Sequence, residues 1–265
     1  MNAVNRTISG ALFARGCMVT RHTPSDDVRA AIKWLKPQDC GRDLIRLGGD
    51  GDGGYLVPDD LNGIKYCFSP GVSNVADFEN DLANRGIQSF MADYSVNGPP
   101  INRPEFVFDK KFLGSLDNDQ YFTLGAWKAL RLNGYSDDLL LQMDIEGSEY
   151  EVIANASTEV LSQFRIMVIE FHALQQLLDP FFCRVFSACV EKLSQHFKVA
   201  HVHPNNGCGF TRKGDIEIPN VVEVTLYSKR RCRPTRKALT FPHPLDRDNS
   251  PDFPSLALPA SWYRD

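Results

Sequence analysis

From residue 64 onward the sequence alternates between short apolar runs and helical stretches, and this alternation limits the fold more than any other feature. The clearest runs are 64–68, 88–92, 139–143 and 164–171. Strands separated in this way by helices pair in parallel through right-handed crossovers, because a parallel pair needs a long connection between its strands. The sequence therefore predicts an α/β fold with a doubly wound, mostly parallel sheet.

Three weaker runs, 106–108, 198–202 and 221–227, complete the predicted set of strands. The helix before the last two strands is marked by an apolar stripe of Phe182, Val185, Phe186, Cys189 and Leu193. Their spacing places them on one face of a helix, and such a face packs against a sheet.

We expect the 265 residues to divide into three segments. Residues 1–43 form a helical extension, with Val28 and Ile32 on one face of its helix. Residues 44–229 form the main domain. Residues 230–265 contain six prolines and few apolar periodicities, so we expect this extension to pack on the domain or on a second subunit. A homo-oligomer is therefore one expectation.

Composition limits the function classes. The net charge of −4 argues against a nucleic-acid partner, which usually requires a basic face. The seven cysteines form no CxxC pair, which favours reduced thiols and a cytoplasmic location. No apolar run approaches the roughly 20 residues that a membrane-spanning helix needs. The basic stretch 229–237 is either a solvated strand end or a surface that attracts an acidic acceptor.

The polar residues that follow the predicted strands are the candidates for a functional site, because ligands of open parallel sheets bind at the carboxyl ends of the strands. Gly71 follows the first strand and allows the backbone to approach a ligand closely. Asp93 follows the second strand, where a carboxylate can accept both hydrogen bonds of a ribose diol. A tight turn and a helix-capping aspartate are the alternative interpretation of this pair.

The segment 139–153, LLLQMDIEGSEYEVI, is the most specific motif of the chain. It resembles the FkbM-type methyltransferases, whose hallmark is a strand that ends in D-[IV]-E-G-x-E. The resemblance includes the upstream sequence 52–55 (DGGY), the strand end 168–172 (VIEFH) and the sequence 203–206 (HPNN). It extends over about residues 44–228.

This resemblance implies a Rossmann-like class I methyltransferase fold, with a seven-stranded sheet whose last strand is antiparallel. It also implies S-adenosyl-L-methionine as the methyl donor and O-methylation of sugars, glycans or other small molecules. The first loop departs from the usual acidic-x-Gly-x-Gly pattern, because its sequence is Ser69-Pro70-Gly71-Val72-Ser73. The candidate cofactor-binding residues are Asp52, Gly53, Gly54, Ser69, Gly71, Asp93, Tyr94 and Asp144.

A hydroxyl acceptor needs either a general base or a metal ion that lowers its pKa. The candidate catalytic residues are His172, as the base, and Asp144. Alternatively Asp144, Glu170 and His172 bind a divalent cation, for which Mg²⁺, Mn²⁺ and Ca²⁺ all fit the ligand types. His203 is a further candidate, because it lies near the carboxyl end of its strand.

Two other function classes compete with a methyltransferase. A nicotinamide-dependent oxidoreductase requires G-x-G-x-x-G after the first strand, and residues 69–74 do not supply it. A non-catalytic, Rossmann-like protein that binds a ligand or a partner shares the fold. The polar groups that converge at the strand ends favour an enzyme over such a binding protein.

Overall fold

The computed structural model describes residues 12–16, 21–235 and 238–264. The predicted extension 1–43 therefore lies partly outside the described residues. The helices are α1 (Ser25–Lys33), α2 (Asp77–Ala83), α3 (Leu124–Arg131), α4 (Glu149–Asn155), α5 (Thr158–Ser162) and α6 (Pro180–Ser194), with short 3₁₀ helices at Leu174–Leu178 and Ala260–Trp262. The strands are β1 (Leu44–Leu47), β2 (Tyr55–Pro58), β3 (Tyr66–Pro70), β4 (Gln88–Ala92), β5 (Phe106–Asp109), β6 (Phe112–Gly114), β7 (Tyr121–Thr123), β8 (Leu139–Met143), β9 (Phe164–Phe171), β10 (Phe197–Pro204), β11 (Phe210–Lys213), β12 (Ile216–Pro219) and β13 (Val222–Ser228).

A seven-stranded sheet with the order β10-β13-β9-β8-β3-β4-β5 forms the centre of the molecule. The pairs from β9 to β5 are all parallel. β13 lies antiparallel between β9 and β10. This order, with the last strand reversed, is that of the class I methyltransferase fold and confirms the predicted fold class. Chain order reverses between β3 and β8, so a ligand is expected beside these two strands.

The first strand of the sheet was predicted two residues too early. It runs from Tyr66 to Pro70, whereas Ile64 belongs to a turn in which its N–H donates to the carbonyl of Leu61. Pairing of Ser69 and Pro70 with the neighbouring strand β4 extends β3 beyond its last apolar residue. Ser69 is therefore part of the strand and does not belong to the loop that follows it.

Both faces of the sheet are buried. Leu139 and Leu141 pack into the larger hydrophobic cluster, while Leu140 between them packs into the smaller cluster on the opposite face. The alternation is the ordinary side-chain period of a strand. Because helices or loops cover each face, the central strands are continuous apolar runs, and this makes them easy to recognise in the sequence.

The terminal segments contact the domain at described residues. In α1, Val28, Ala31 and Ile32 are buried, and the helix packs against α6. Near the other end of the chain, the indole of Trp262 is buried and donates a hydrogen bond of 3.0 Å to the carbonyl of Glu217. Among the described residues, no helix has the length and apolar character needed to cross a membrane.

The described part of the basic stretch does not lie near the carboxyl ends of the parallel strands. It follows β13, and because that strand is antiparallel it ends at the opposite edge of the sheet. Arg230 pairs with Asp138 at 3.1 Å, and Arg231 pairs with Asp60 at 2.6 Å. These arginines stabilise the fold, and they do not attract an acceptor to the predicted site.

Asp60 is the most heavily bonded acid at this edge, with a side chain only 5% exposed. It accepts hydrogen bonds from Arg231 at 2.6 and 2.8 Å and from the Tyr227 hydroxyl at 2.6 Å, and Arg165 lies 3.7 Å away. Burial favours the neutral carboxyl group, but these donors outweigh it and lower the pKa of Asp60. The resulting stabilisation is present above the usual pKa of an aspartate and is lost as the pH falls through the lowered value.

We predict that Asp60→Asn lowers the free energy of unfolding by about 2–4 kcal/mol. This is less than for a fully buried pair, because Arg231 is partly exposed. Urea unfolding at neutral pH measures the change. The control is Glu217→Gln, which removes an exposed partner of Arg212 and is expected to cost less than about 1 kcal/mol. Similar losses in both variants would contradict the prediction.

Candidate active site

The turn after β3 requires a glycine for two reasons. Gly71 has a φ of +88°, which residues with a side chain rarely adopt. A Cβ at this position would lie 1.5 Å from the carbonyl oxygen of Asp144. The turn after β3 and the loop after β8 thus touch backbone to backbone.

A cavity of about 550 Å³ opens beside this contact, at the carboxyl ends of β3, β4 and β8. Its size is within the usual range for pockets that bind small molecules. The polar part of its wall comprises Asp52, Tyr55, Ser73, Asn74, Asp77, Glu79, Asp93, Ser95, Tyr121, Gln142, Asp144, Glu146 and Ser148. The apolar part comprises Val72, Val75, Phe78, Ala92, Phe112, Leu113 and Ile145, with Gly53 and Gly71.

The charge of this cavity is one-sided. Its wall contains six carboxylate side chains, and no lysine or arginine is among the described residues that line it. The helix that follows β3 also begins with two acids, Asp77 and Glu79. A pyrophosphate needs the opposite arrangement, a helix N-terminus or cations facing the ligand. The cavity therefore suits a ligand with positive charge and does not suit a dinucleotide.

Asp93 lines the cavity at the end of β4, as predicted from its position after the strand. One carboxylate oxygen accepts from the N–H of Ser73 at 3.1 Å, and the other accepts from the N–H and hydroxyl of Ser95 at 2.7 and 2.6 Å. These bonds fix the orientation of the carboxylate. Each carboxylate oxygen has two acceptor positions, so one position on the oxygen bonded to Ser73 stays available for a ligand hydroxyl.

Tyr94 is not part of the cavity wall, although it follows Asp93. It is 36% exposed and packs behind Phe112, with ring centroids 5.5 Å apart. The aromatic wall is formed instead by Phe112 and Tyr121, next to Leu113. Sequence reasoning missed these residues because β6 and β7 have only three residues each, too few for a periodic pattern.

The predicted loop residues divide into two groups. Asp52 and Gly53 line the cavity, whereas Gly54 does not and packs against the guanidinium of Arg46. Arg46 holds the loop by donating to the carbonyls of Gly49 at 2.8 Å and Gly51 at 3.1 Å.

Ser69 is fully buried and lies behind the cavity wall. Its hydroxyl contacts Glu79 and Gln142, which do line the cavity.

His172 lies one residue beyond the end of β9, surrounded by carboxylates. Its Nδ1 is 3.0 Å from Oε1 of Glu149, and its Nε2 is 3.7 Å from Oδ1 of Asp144 and 3.5 Å from Oε2 of Glu146. Sequence reasoning brought His172 and Asp144 together correctly and missed Glu149. The sequence did mark Glu149, because it is the last acidic residue of the D-[IV]-E-G-x-E pattern that follows β8.

Glu149 holds this cluster together. It is fully buried, and its Oε1 also accepts from the N–H groups of Ile145 and Gly147 at 3.2 Å each. With Nδ1–H of His172 donating to Glu149, the other ring nitrogen faces Asp144 and Glu146. The loop after β8 and the histidine after β9 thus form hydrogen bonds with the same oxygen, Oε1 of Glu149.

Two groups of this cluster, Asp144 and His172, have raised pKa values. Burial raises the pKa of Asp144 to about 7, with His172 opposing the shift. Burial disfavours the imidazolium of His172, but the hydrogen bond to Glu149 and the charges of Asp144 and Glu146 outweigh burial and raise the pKa of His172 above its usual value. Groups with pKa values near neutrality are suited to proton transfer.

The cation hypothesis required Glu170 to lie beside Asp144 and His172, but the structure does not bring Glu170 to them. It is still within β9, opposite Glu223 of β13, and its carboxylate accepts from Asn205 at 2.9 Å. The three groups whose ligand atoms lie within 4.8 Å of one another are Asp144, Glu149 and His172. Oδ1 of Asp144 and Oε2 of Glu149 accept no hydrogen bond from the described residues. The donor set therefore fits a cation with Glu149 in place of Glu170.

His203 does not reach the cavity either. His201 and His203 do share one face of β10, but both face Asp246 of the C-terminal segment, at 2.8 and 3.6 Å. Three residues further along, Asn249 donates to Glu223 at 2.6 Å and to Asp52 at 3.3 Å. These histidines hold the C-terminal segment against the domain, and that segment contacts the loop of Asp52.

Comparison with known proteins agrees with this geometry. Residues 129–196 match the family model of the methyltransferase FkbM domain, as the motif after β8 predicted. The match includes Asp144, Glu149 and His172 and covers about a quarter of the chain. Among curated proteins, no relative matches the chain at a significant level.

Of three solved structures to which the chain has distant similarity, two are described as methyltransferases. One is described as a DNA modification methyltransferase of an E. coli prophage, with 10% identity, a TM-score of 0.41, and coverage of 63% of this chain and 47% of that one. Another is a fibrillarin/Nop5p complex, with 14% identity, a TM-score of 0.38, and coverage of 63% and 74%. A third is a 16S rRNA methyltransferase of Catenulisporales acidiphilia, with 12% identity, a TM-score of 0.32, and coverage of 72% and 98%. The chain thus spans about half of the first of these proteins.

The strand order is that of the class I methyltransferase fold, and residues 129–196 within it match the FkbM methyltransferase domain.

We predict that Gly71→Ala prevents binding of S-adenosylhomocysteine and destabilises the fold more than Gly86→Ala. Both glycines have positive φ angles, of +88° and +74°, but a Cβ at Gly86 meets no atom within 4 Å. Gly86→Ala is expected to cost only the conformational strain, about 1–2 kcal/mol. Urea unfolding and calorimetric titration measure the two effects. Equal loss of stability with intact binding in both variants would show that the close approach to Asp144 is unimportant.

Proposed function

We propose that this protein transfers a methyl group from S-adenosylmethionine to a hydroxyl group of a neutral sugar or glycan. The observation that carries the proposal is the imidazole of His172, held by Glu149 beside a cavity that contains only acidic charges.

The cavity supports a positively charged donor. Its six carboxylates favour a cationic ligand by electrostatic complementarity. Asp93 is placed to accept a hydrogen bond from a ribose hydroxyl, and Phe112 and Tyr121 offer an apolar wall for an adenine ring. Gly71 allows close approach of the backbone between these groups. When bound, S-adenosylmethionine supplies an electrophilic methyl group.

His172 acts as the general base in this proposal. Its Nε2 accepts the proton of the acceptor hydroxyl, while Glu149 fixes the ring through Nδ1–H and stabilises the imidazolium that forms. Asp144 would lie between the donor and the base, because it lines the cavity and its Oδ1 is 3.7 Å from Nε2 of His172. The residues then mainly align the acceptor with the methyl group.

The acceptor is inferred from the charge around His172. Asp144, Glu146 and Glu149 surround the imidazole ring of His172, and the side chain of Glu146 is 87% exposed. These groups repel anionic acceptors and accept hydrogen bonds from hydroxyl groups. A neutral polyhydroxy compound fits these requirements, whereas a nucleic acid does not.

A divalent cation is the second candidate for activating the hydroxyl. Asp144, Glu149 and His172 would hold it, and the two unbonded carboxylate oxygens of Asp144 and Glu149 support this alternative. Two carboxylates with one imidazole suit Mn²⁺, and Mg²⁺ or Ca²⁺ are accommodated by the oxygen ligands. Such a cation would lower the pKa of the hydroxyl directly.

We further propose that the domain spans residues 44–229, that residues 1–43 are an N-terminal extension, and that the extension 230–265 packs on the domain or on a second copy. The contacts of Asp246 and Asn249 with the domain support packing on the same chain. The free thiols of the described cysteines support a reducing compartment such as the cytoplasm.

We predict that S-adenosylhomocysteine binds the protein at micromolar concentration and that NAD does not. Asp93→Ala should weaken this binding about tenfold to a hundredfold, because a charged hydrogen bond to the ribose is lost. Calorimetric titration measures both ligands, and Asp119→Asn, an exposed carboxylate, serves as the control. Absence of binding to the unaltered protein would overturn the proposed function and favour a non-catalytic role.

We predict that His172→Asn lowers kcat about 10²–10⁴-fold while S-adenosylhomocysteine still binds. The exposed His22 provides the control, since His22→Asn should leave kcat unchanged. The acceptor for this assay comes from screening neutral sugars for release of S-adenosylhomocysteine. Measured in EDTA, kcat/KM should rise with pH through a pKa above 6.5, because the base must be neutral.

Glu149→Gln sharpens this test. Removing the carboxylate lowers the pKa of His172, so the acidic limb of the profile should move to lower pH. If activity is lost in EDTA and recovered in Mn²⁺, a bound cation activates the hydroxyl and His172 does not act directly as the base. An unshifted profile without loss of activity would exclude His172 as the base.

A further inference from the structure

A buried chain of polar side chains lies at the β8 side of the cavity, and the proposed reaction does not use it. Glu79 of α2 is only 4% exposed, and its carboxyl group contacts the hydroxyl of Ser69. Oγ of Ser69 is 2.7 Å from Oε1 of Gln142, whose amide nitrogen is 3.3 Å from the hydroxyl of Tyr55. Glu79, Gln142 and Tyr55 all line the cavity.

A protonated Glu79 is consistent with the hydrogen bonds of this chain. The Ser69 hydroxyl has one proton but lies between two acceptor oxygens, those of Glu79 and Gln142. Both contacts are satisfied when Glu79 is protonated and donates to Ser69, which then donates to Gln142. Burial raises the pKa of Glu79, with the Ser69 hydrogen bond opposing, and this agrees with a neutral carboxyl group.

The position of Glu79 relative to Asp93 identifies the part of the ligand that it meets. Asp93 ends β4, and the Ser69–Gln142 contact joins β3 to β8 on the other side of β3. A ligand whose ribose is bound by Asp93 extends over Gly71 toward this side. In S-adenosylmethionine the group at that end is an amino acid, which carries an ammonium ion.

We propose that Glu79, held by the chain Ser69–Gln142–Tyr55, recognises the ammonium group of the methionine moiety. The inference rests on the proposed donor. An ammonium ion beside Glu79 stabilises the carboxylate, so Glu79 releases its proton when the ligand binds. The other titratable groups around Glu79 are Asp77 of α2 and Cys67 of β3. Those that act on Tyr55 at the other end of the chain are Asp52, Asp144, Glu170 and Glu223, and none of these six groups is basic.

Two ligands that differ only in the amino acid test this inference. S-Adenosylhomocysteine carries the ammonium group, and 5′-methylthioadenosine lacks the amino-acid portion. Neither contains a sulfonium, so Asp144 responds similarly to both. Calorimetric titration in buffers of different ionisation enthalpy should detect release of up to about one proton with S-adenosylhomocysteine only, near neutral pH.

Glu79→Gln keeps the size and a donor toward Ser69 but removes the charge. It should weaken binding of S-adenosylhomocysteine about tenfold or more and abolish the proton release, while 5′-methylthioadenosine binds within about twofold of the unaltered protein. The matched control is Asp77→Asn, which removes a neighbouring carboxylate of the same cavity wall. Its effect on S-adenosylhomocysteine should be clearly smaller.

The outcomes separate the two levels of the proposal. Equal binding of S-adenosylhomocysteine by Glu79→Gln and the unaltered protein, or equal losses in both variants, would overturn the role of Glu79 and leave the donor site intact. If the unaltered protein binds neither ligand, the proposed function itself fails. Retained binding of 5′-methylthioadenosine by Glu79→Gln excludes misfolding as the cause of a loss.

Discussion

The backbone contact between Gly71 and Asp144 is the constraint on which the site depends. It joins the loops after β3 and β8, the two strands between which the chain order reverses. The N–H of Asp144 also donates to the carbonyl of Pro70 at 3.4 Å. Because these loops cannot separate, the cavity on one side and the histidine on the other share Asp144 as a common wall. In the proposed reaction, this carboxylate would lie between the donor and the acceptor.

The acids of the site are arranged at an energetic cost. Burial raises the pKa values of Asp144, Glu170, Glu223 and Glu79, because it disfavours their ionised forms. A cationic ligand reverses this preference because it stabilises the ionised carboxylates. Binding of a cationic ligand would thus be linked to proton release, and the same groups would repel an anionic ligand. In the proposed function, selectivity for a positively charged donor follows from burial as much as from hydrogen bonds.

How much the sequence could predict depends on whether a feature is local. The central strands are continuous apolar runs, and the residues after them, Asp93, Asp144 and His172, follow from strand order alone. Glu79 and Glu149 were missed because a glutamate in the first turn of a helix is usually exposed. Their burial depends on how that helix lies against the sheet. The bounds of β3 were misplaced for a similar reason, because pairing with β4 determines where this strand begins and ends.

The antiparallel strand β13 explains why the C-terminal segment reaches the site. Parallel strands bring their last residues to the cavity edge, whereas β13 brings its first residues, including Glu223. Glu223 is buried beside Glu170 and is satisfied by Asn249 of the C-terminal segment, which also bonds Asp52. The reversed strand therefore places a buried acid at this edge, and the C-terminal segment donates the hydrogen bond to that acid. The segment that covers Glu223 also holds the loop of Asp52 in the cavity wall, so it is a structural part of the site.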